Sequence, residues 1–387
     1  MKKYKNFIIF VIIVLARSIF LGMVKFFLWS FLKEGNISLQ EIAGYISLGS
    51  TVAYLIGGSI AYSFRKKNIA IFSGILAGIC LITGFFLDYK PFVIFIVLLG
   101  FIGLAYGFWL VIKSIILATE IHESGLPETV INGILNIIML IGILLGSYWG
   151  FTIYSKWDGT GFWIIIFLLM VSNFFTLFLG YDKFFQKKNF FSSIKTIVPN
   201  IFGIVKKYIG LLLPISILRA VSTAVGQEML GIGIDTFNKV PKSTILIIIF
   251  SVLGTIFGHI ITAVYQKKKK IISIIFTLIF GIGVIVFPHF IKEYDTYAFL
   301  NLYSFGLGTF FGIVINILEG RYFFNIGEYH KKEYGSAAYG LISSLTMFAV
   351  MIITGCLTQY FGNKFAFFFC GIILLVMIFY VKEIDHE

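Results

Sequence analysis

The stretch from Phe7 to Leu32 reads FIIFVIIVLARSIFLGMVKFFLWSFL, a long apolar run that is interrupted by Arg17. A second stretch, from Tyr208 to Ile234, reads YIGLLLPISILRAVSTAVGQEMLGIGI and is interrupted by Arg219. An arginine at the centre of a membrane-spanning helix costs roughly 2.5 to 3.5 kcal/mol, so such residues usually have a function. The two arginines stand 202 residues apart, at corresponding places in the two halves of the chain, and together they suggest a site.

The composition is that of an integral membrane protein. Of 387 residues, 59% are hydrophobic and only 13% are charged. A helix needs about 20 predominantly apolar residues to cross a bilayer, and runs of that length recur from one end of the chain to the other. The first run has no small-residue cleavage site, so we expect a retained helix rather than a signal peptide. We predict twelve spans, at residues 7–32, 41–63, 68–87, 91–119, 129–155, 161–181, 208–234, 243–264, 271–291, 296–324, 336–361 and 364–381.

Lysines and arginines are distributed unevenly between the alternate gaps. Twenty lie in the gaps on one side of the predicted membrane and seven in the gaps on the other. The positive-inside rule then predicts that both termini are cytoplasmic, in a multi-pass protein of the plasma or inner membrane. The net charge of +13 would suggest nucleic-acid binding in a soluble protein. Here it is explained as an orientation signal, and we expect no nucleic-acid partner.

The second half of the chain weakly repeats the first. Arg65-Lys66-Lys67, after the second span, falls on Lys267-Lys268-Lys269 after the eighth at the offset of the two arginines. We therefore expect a six-helix bundle at 1–181, a cytoplasmic linker at 182–207 and a second six-helix bundle at 208–387. The linker contains an apolar-periodic piece, Ile194 to Val205, that is suited to lie flat at the membrane interface. Such repeats usually flank a central site that is exposed alternately to the two sides.

The loop after the second span carries the sequence Gly58-Ser-Ile-Ala-Tyr62-Ser63-Phe-Arg65-Lys66-Lys67. It resembles the Gly-x-x-x-Asp-Arg-x-x-Arg-Arg signature of the major facilitator superfamily, and Gly258 to Thr262, ahead of Lys267, resembles its second copy. Tyr62 and Ser63 stand where that family has Asp and Arg. The resemblance implies the twelve-helix major facilitator fold and secondary transport.

A narrower resemblance is to the organophosphate:phosphate antiporter family, which places one arginine on each of the first and seventh helices to grip a phosphate. Gly335-Ser-Ala-Ala-Tyr-Gly340 and Tyr360-Phe-Gly362 are similar to that family as well. The resemblance implies that Arg17 and Arg219 face each other across a cavity.

Four basic residues are candidates for binding an anionic substrate: Arg17, Arg219, Lys25 and Lys113. Guanidinium groups offer planar forks that suit phosphate, sulfonate or carboxylate. Lys25 and Lys113 would add positive field. The alternative is structural: the arginines brace neighbouring helices, and the lysines extend toward the membrane surface.

Three further residues, Glu228, His259 and Glu319, are candidates for coupling transport to protons. A buried carboxylate or imidazole can carry a proton near neutral pH. The alternatives are that Glu228 neutralises a nearby base, that His259 is a packing residue, and that Glu319 pairs with Arg321 at the interface.

These observations predict a secondary transporter that moves a small anionic solute by alternating access. Proton-coupled efflux of amphipathic compounds and a non-transporting sensor or lipid flippase on the same scaffold stay open as alternatives. The sequence has no phosphate-binding loop and no set of residues with metal-ligand spacing, so we expect neither an enzyme nor a metal or cofactor. The expected partners are the solute and the lipid bilayer, and the expected state is a monomer.

Overall fold

The computed structural model describes residues 2–32, 39–87, 92–124, 127–180, 190–237, 240–264, 269–290, 296–329 and 332–383. Within these ranges the chain is helical, as a bilayer requires, because each helix satisfies its own backbone hydrogen bonds. The prediction of an all-α membrane protein is confirmed. The helices are α1 (Lys2–Leu32), α2 (Leu39–Ser63), α3 (Lys66–Phe86), α4 (Phe92–Ser124), α5 (Glu128–Thr176), α6 (Phe190–Phe237), α7 (Val240–Val264), α8 (Lys269–Phe290), α9 (Thr296–Tyr329), α10 (Lys332–Phe361) and α11 (Asn363–Glu383).

The described helices account for all twelve predicted spans. Nine segments within them are long and apolar enough to cross a membrane. Three shorter apolar segments, Phe162–Thr176, Ile274–His289 and Asn363–Met377, correspond to the sixth, ninth and twelfth predicted spans. There are fewer helices than spans because α5 carries two of them.

Helix α5 supplies the fifth and sixth spans, which run in opposite directions. Residues 142–147 lie along residues 18–22 of α1 in the same order, so this part of α5 is parallel to α1. Residues 172–180 lie along residues 17–6 in the reverse order, so the later part is antiparallel to it. Helix α1 therefore packs against both parts of α5.

Helix α6 contains a kink at Tyr208, where φ is −112° and ψ is 18°. The part after the kink is the seventh span, and the part before it lies in the predicted linker. In that earlier part Ile197, Ile201 and Ile204 are buried, and Ile201 packs against Gly58 of α2. The apolar-periodic piece of the linker is thus a helix whose isoleucines lie against the bundle.

The internal repeat is visible in two helix crossings. Helix α2 crosses α4, and α7 crosses α9, at glycines so close to a backbone carbonyl oxygen that an added Cβ atom would overlap it. Each residue of the second crossing stands 205 positions after its counterpart in the first. The matching pairs are Gly49 on Gly100 and Gly254 on Phe305, and Gly103 on Ile46 and Gly308 on Ser251. The α2–α4 crossing of the first half (α1–α5) therefore recurs as the α7–α9 crossing of the second half (α6–α11).

The two halves meet along α2 and α10. The hydroxyl of Thr51 donates a hydrogen bond to that of Ser344 at 2.9 Å, and Gly340 lets α10 approach the ring of Tyr54 closely. These contacts lie near the middle of both helices.

More contacts join the halves at the end of the molecule where α1 begins, here called the terminal end. Asn132 of α5 donates to Asn316 of α9 at 3.1 Å, and both side chains are fully buried. Nearer the surface, Lys66 forms an ion pair with Glu333 at 3.6 Å. The two halves are therefore in contact at the terminal end.

We predict that alanine at Gly254 or Gly49 lowers the melting temperature of the purified protein by several degrees. The added methyl group overlaps a backbone carbonyl, and forcing the helices apart costs on the order of 1–3 kcal/mol. Alanine at Gly306 or Gly100 is the matched control, since no atom lies within 4 Å of an added Cβ there. Equal melting temperatures for the two sets would contradict the crossing geometry.

Candidate functional site

A cavity of about 170 Å³ lies between the two halves. Helices α2, α4 and α5 line it with twelve residues from one half, and α6, α9 and α10 line it with seven from the other. Its lining residues are Ile46, Ser47, Ser50, Tyr54, Tyr106, Leu110, Lys113, Ser114, Leu117, Asn132, Asn136, Met139, Arg219, Glu319, Phe323, Tyr339, Ser343, Ser344 and Met347.

Glu319 is the centre of the polar contacts in the cavity. Its side chain is only 1% exposed and forms an ion pair with Arg219 of α6. The Tyr339 hydroxyl donates to the same carboxylate oxygen, and the Asn136 amide donates to the other oxygen at 3.4 Å. The expected interfacial pair with Arg321 is therefore wrong for Glu319. Helix α9 continues for ten residues beyond Glu319, which places this carboxylate inside the molecule.

Arg219 lines the cavity and remains partly open to it. Its side chain is 28% exposed, although its partner Glu319 is buried. Among the described residues, its Nε has no hydrogen-bond partner. The guanidinium carbon lies 5.9 Å from the centre of the Tyr339 ring, a cation–π distance. Part of the Arg219 side chain thus stays accessible to a ligand in the cavity after it has neutralised Glu319.

Lys113 brings a second positive charge to the cavity from α4. It is 7% exposed, so it does not extend toward the membrane surface as the snorkelling alternative requires. Within the described part of the chain, its ammonium makes one hydrogen bond, at 3.3 Å to the thioether sulfur of Met139, which is a weak acceptor. It also interacts with the charges of Arg219 and Glu319. With one carboxylate against two cations, the cluster carries a net charge of +1.

Arg17 occupies a different environment, inside the first half. Its guanidinium donates to the hydroxyls of Ser172 at 3.1 Å and Ser73 at 2.9 Å, to Asn173 Oδ1 at 3.0 Å, and to the carbonyl oxygen of Ala70. Four of its five N–H groups are therefore used by protein acceptors. The guanidinium carbon of Arg17 also lies over the Trp109 ring, 4.1 Å from the ring centre.

The structure does not bring the two arginines together. Arg17 connects α1 to α3, α4 and α5, whereas Arg219 faces the central cavity. The structural alternative, in which an arginine braces neighbouring helices, describes the geometry of Arg17. Lys25 lies outside the residues whose side chains the structure describes, so its proposed role stays a prediction.

The three coupling candidates also separate. Glu319 lines the cavity, while Glu228 and His259 are not among the described residues that line it. Glu228 is 3% exposed and accepts a hydrogen bond from Thr358 of α10. His259 is 2% exposed, and its Nδ1 has no partner among the described residues.

Two buried asparagines, Asn132 and Asn316, form hydrogen bonds between helices. Asn316 of α9 donates to the Thr129 carbonyl oxygen and to the Thr262 hydroxyl, and it accepts from Asn132. These bonds join α5, α7 and α9 just beyond the cavity, toward the terminal end. No group of three or more possible metal ligands occurs in the described part of the chain.

Sequence reasoning missed the hydroxyl groups of the lining. Tyr54, Tyr106, Tyr339 and five serines line the cavity, but a neutral hydroxyl costs little in a membrane helix and so does not mark a site in the sequence. The available signal was spacing. Ser47, Ser50 and Tyr54 follow each other at intervals of three and four, which places them on one face of α2.

Two solved structures resemble the whole chain. The human organic anion transporter MFSD10 (TETRAN) matches with a TM-score of 0.72 and 11% identity, over 97% of each chain. A variant of the E. coli fucose:proton symporter FucP matches with a TM-score of 0.68 and 12% identity, over 99% of this chain and 98% of that one. No protein-family model and no curated protein matches the sequence. At this identity the likeness establishes the fold, which is that of the major facilitator transporters.

The comparisons give no support to the narrower resemblance to organophosphate:phosphate antiporters. The glycines that suggested it have local reasons. Gly335 packs against Ile326, and Gly340 against Tyr54. Gly362 has a φ of 84°, a left-handed conformation that glycine adopts without strain, and it joins α10 to α11.

We predict that Arg17→Lys lowers the stability of the protein, because Arg17 braces neighbouring helices and is not among the residues that line the cavity. A lysine cannot reproduce the fork that reaches Ser73, Ser172 and Asn173, so the loss is about 2 kcal/mol or more and the melting temperature falls by several degrees. Arg65→Lys is the control, because Arg65 is exposed. If both variants melt at the temperature of the wild type, the bracing role of Arg17 is excluded.

Proposed function

We propose that this protein is a secondary transporter that carries a small anionic solute across the membrane through the cavity between its two halves. The major facilitator fold supports transport, because the two bundles enclose a central cavity that their relative motion can open to either side. One similar structure is described as an organic anion transporter, which agrees with the proposal. Pockets for drug-sized ligands usually measure about 300–1,000 Å³. A cavity of about 170 Å³ therefore suits a smaller solute.

The excess positive charge in the cavity is the observation that carries this proposal. Arg219 is already neutralised by Glu319, whereas Lys113 is buried with a thioether as its one hydrogen-bond partner among the described residues. A buried charge without a counter-charge is strongly destabilising. An anion bound between Lys113 and Arg219 would supply the missing negative charge.

The proposed site differs from the predicted site in which Arg17 and Arg219 bind the anion together. Lys113 of α4 takes the place that the sequence assigned to Arg17, and the anion lies between it and Arg219 of α6. The two cations belong to different halves, so a bound anion would draw the halves together around itself. That attraction would favour closure of the loaded transporter.

Alternating access would require contacts between the halves to break and re-form. Opening the terminal end requires breaking the bonds of Asn132 to Asn316 and of Lys66 to Glu333. The charge distribution of the chain makes this end cytoplasmic. We infer that the described conformation is closed toward the cytoplasm of a plasma or inner membrane.

Coupling to protons is a second possibility at the same site, and Glu319 is the residue for it. Protonation of Glu319 would release Arg219 from its ion pair and leave it free for the anion. One proton would then move together with one negative charge. Without protonation, Glu319 stays an internal counter-ion and the protein exchanges one anion for another.

Efflux of bulky amphipathic compounds has less support. The 45 phenylalanines of the chain would suit a cavity for such compounds, yet Phe323 is the one phenylalanine among the lining residues that the structure describes. Most phenylalanines therefore lie elsewhere in the helices.

We predict that Lys113→Met abolishes most anion transport, with a loss of about tenfold or more in uptake. Methionine keeps the length and apolar stem of the side chain but removes the charge. The measurement is counterflow into proteoliposomes with a panel of phosphate, sugar phosphates, sulfonates and dicarboxylates.

The matched control is Lys206→Met, which removes an exposed lysine outside the cavity. Arg219→Gln should act in the same direction, but it also deprives Glu319 of its partner, so Lys113 is the cleaner test. Unchanged uptake by Lys113→Met would refute the proposed site.

We predict that Glu319→Gln separates exchange from proton-driven accumulation. Glutamine can still accept hydrogen bonds from Arg219 and Tyr339 but cannot release a proton. Exchange across membranes at equal pH should persist at a reduced rate, while accumulation driven by a pH gradient should disappear. Glu228→Gln is the control, since Glu228 does not line the described cavity. If wild-type accumulation ignores the pH gradient, Glu319 is a counter-ion only and the protein is an exchanger.

A further inference from the structure

We propose that the solute carries hydroxyl or other hydrogen-bond donors on its carbon skeleton in addition to its anionic group. This inference rests on the proposed function and specifies the substrate class. It follows from how hydrogen-bond donors and acceptors are divided between the two ends of the cavity.

The end of the cavity away from the termini presents acceptors. The hydroxyl of Ser47 donates to the Ala43 carbonyl oxygen at 2.7 Å, and that of Ser50 donates to the Gly103 carbonyl oxygen at 2.8 Å. A serine hydroxyl has one proton and two lone pairs, so a hydroxyl that donates to the backbone still has lone pairs free. These two side chains of α2 can therefore accept hydrogen bonds from a ligand.

The facing wall, on α10, has the same property. The Ser344 hydroxyl donates to the Leu341 carbonyl oxygen at 3.2 Å. The Ser343 hydroxyl lies 3.1 Å from that of Ser216, whose own proton is directed to the Leu212 carbonyl oxygen, so Ser343 is the donor in that contact. Four hydroxyls from two opposed helices thus direct their protons away from the cavity.

The end of the cavity nearer the termini presents donors. Lys113 and Arg219 are there, and the hydroxyls of Tyr54 and Tyr106 make no hydrogen bond with any described residue. Both tyrosines are close enough to Arg219 to interact with its charge. Two free hydroxyl protons beside two cations are suited to an anionic group.

The spacing along α2 gives the length of the ligand between the two ends. Ser50 precedes Tyr54 by four residues and Ser47 precedes it by seven, which corresponds to about 6 and 10 Å along a helix. A solute with an anionic group at one end and hydroxyls a few carbon atoms away would satisfy both sets of groups. A purely aliphatic anion would leave the serine acceptors without partners. A site built to bond a hydroxyl discriminates strongly against the analogue that lacks it.

The test compares anions that differ only in their hydroxyl groups. Exchange by wild-type protein in liposomes is measured for each anion separately. The rate for glycerol 3-phosphate is compared with that for propyl phosphate, and the rate for D-gluconate with that for hexanoate. We expect the hydroxylated member of at least one pair to be exchanged roughly tenfold faster or more. We also expect the double variant Ser47→Ala, Ser343→Ala to bring that ratio toward one.

Ser304→Ala is the matched control, because Ser304 of α9 makes the same type of bond, to the Leu300 carbonyl oxygen, and is not part of the described lining. It should leave the ratio unchanged. Equal exchange of both members of each pair would overturn the hydroxyl inference and leave the proposed anion transport intact. If none of the four anions is exchanged, the proposed function fails and this inference fails with it.

Discussion

The ion pair of Arg219 and Glu319 is the interaction on which the chemistry of the cavity depends. A carboxylate that is 1% exposed is tolerated because Arg219, Tyr339 and Asn136 all donate to it. Three helices of one half, α6, α9 and α10, are held together by this single group. Since the pair is neutral in itself, the sign of the cavity is set by Lys113. Without Glu319 the cavity would hold two unpaired cations, and without Arg219 it would hold a balanced pair and no excess charge.

Much of the fold could be predicted because it depends on properties that are local in sequence. Apolar length determines where a helix can cross a bilayer, and the twelve predicted spans are all found. The weak repeat also predicted two bundles, and one helix crossing recurs between the two halves of the chain. What sequence could not supply was the rotation of each helix about its own axis. The crossings are related by 205 residues, whereas Arg17 and Arg219 are 202 apart. By the repeat of 205 residues, Arg219 stands three residues before the counterpart of Arg17, about 4.5 Å away along the helix and about 60° around it, so the two arginines are not equivalent positions.

The partners of charged residues were equally difficult to predict. Glu319 and Arg321 are two residues apart, and such neighbours do not face each other on a helix. The partner of Glu319 therefore had to come from another helix, and it comes from a residue 100 positions earlier in the chain. For Lys113 the question was whether its side chain lines a cavity or extends to the membrane surface. The sequence of a single helix does not distinguish these two directions. Packing of α4 between the halves decides the question.

The charges of the cavity are shared unequally between the two bundles. Arg219, Glu319 and Tyr339 all belong to the second half, whereas Lys113 belongs to the first. If the halves move as proposed, Arg219, Glu319 and Tyr339 move together, while Lys113 and Asn136 of the first half change their distance from the ion pair. The first half would thus carry a positive charge that moves toward and away from the Arg219–Glu319 ion pair of the second half. For the proposed transport cycle, the affinity of the cavity for an anion would then depend on the angle between the bundles, because that angle sets the distance between Lys113 and Arg219.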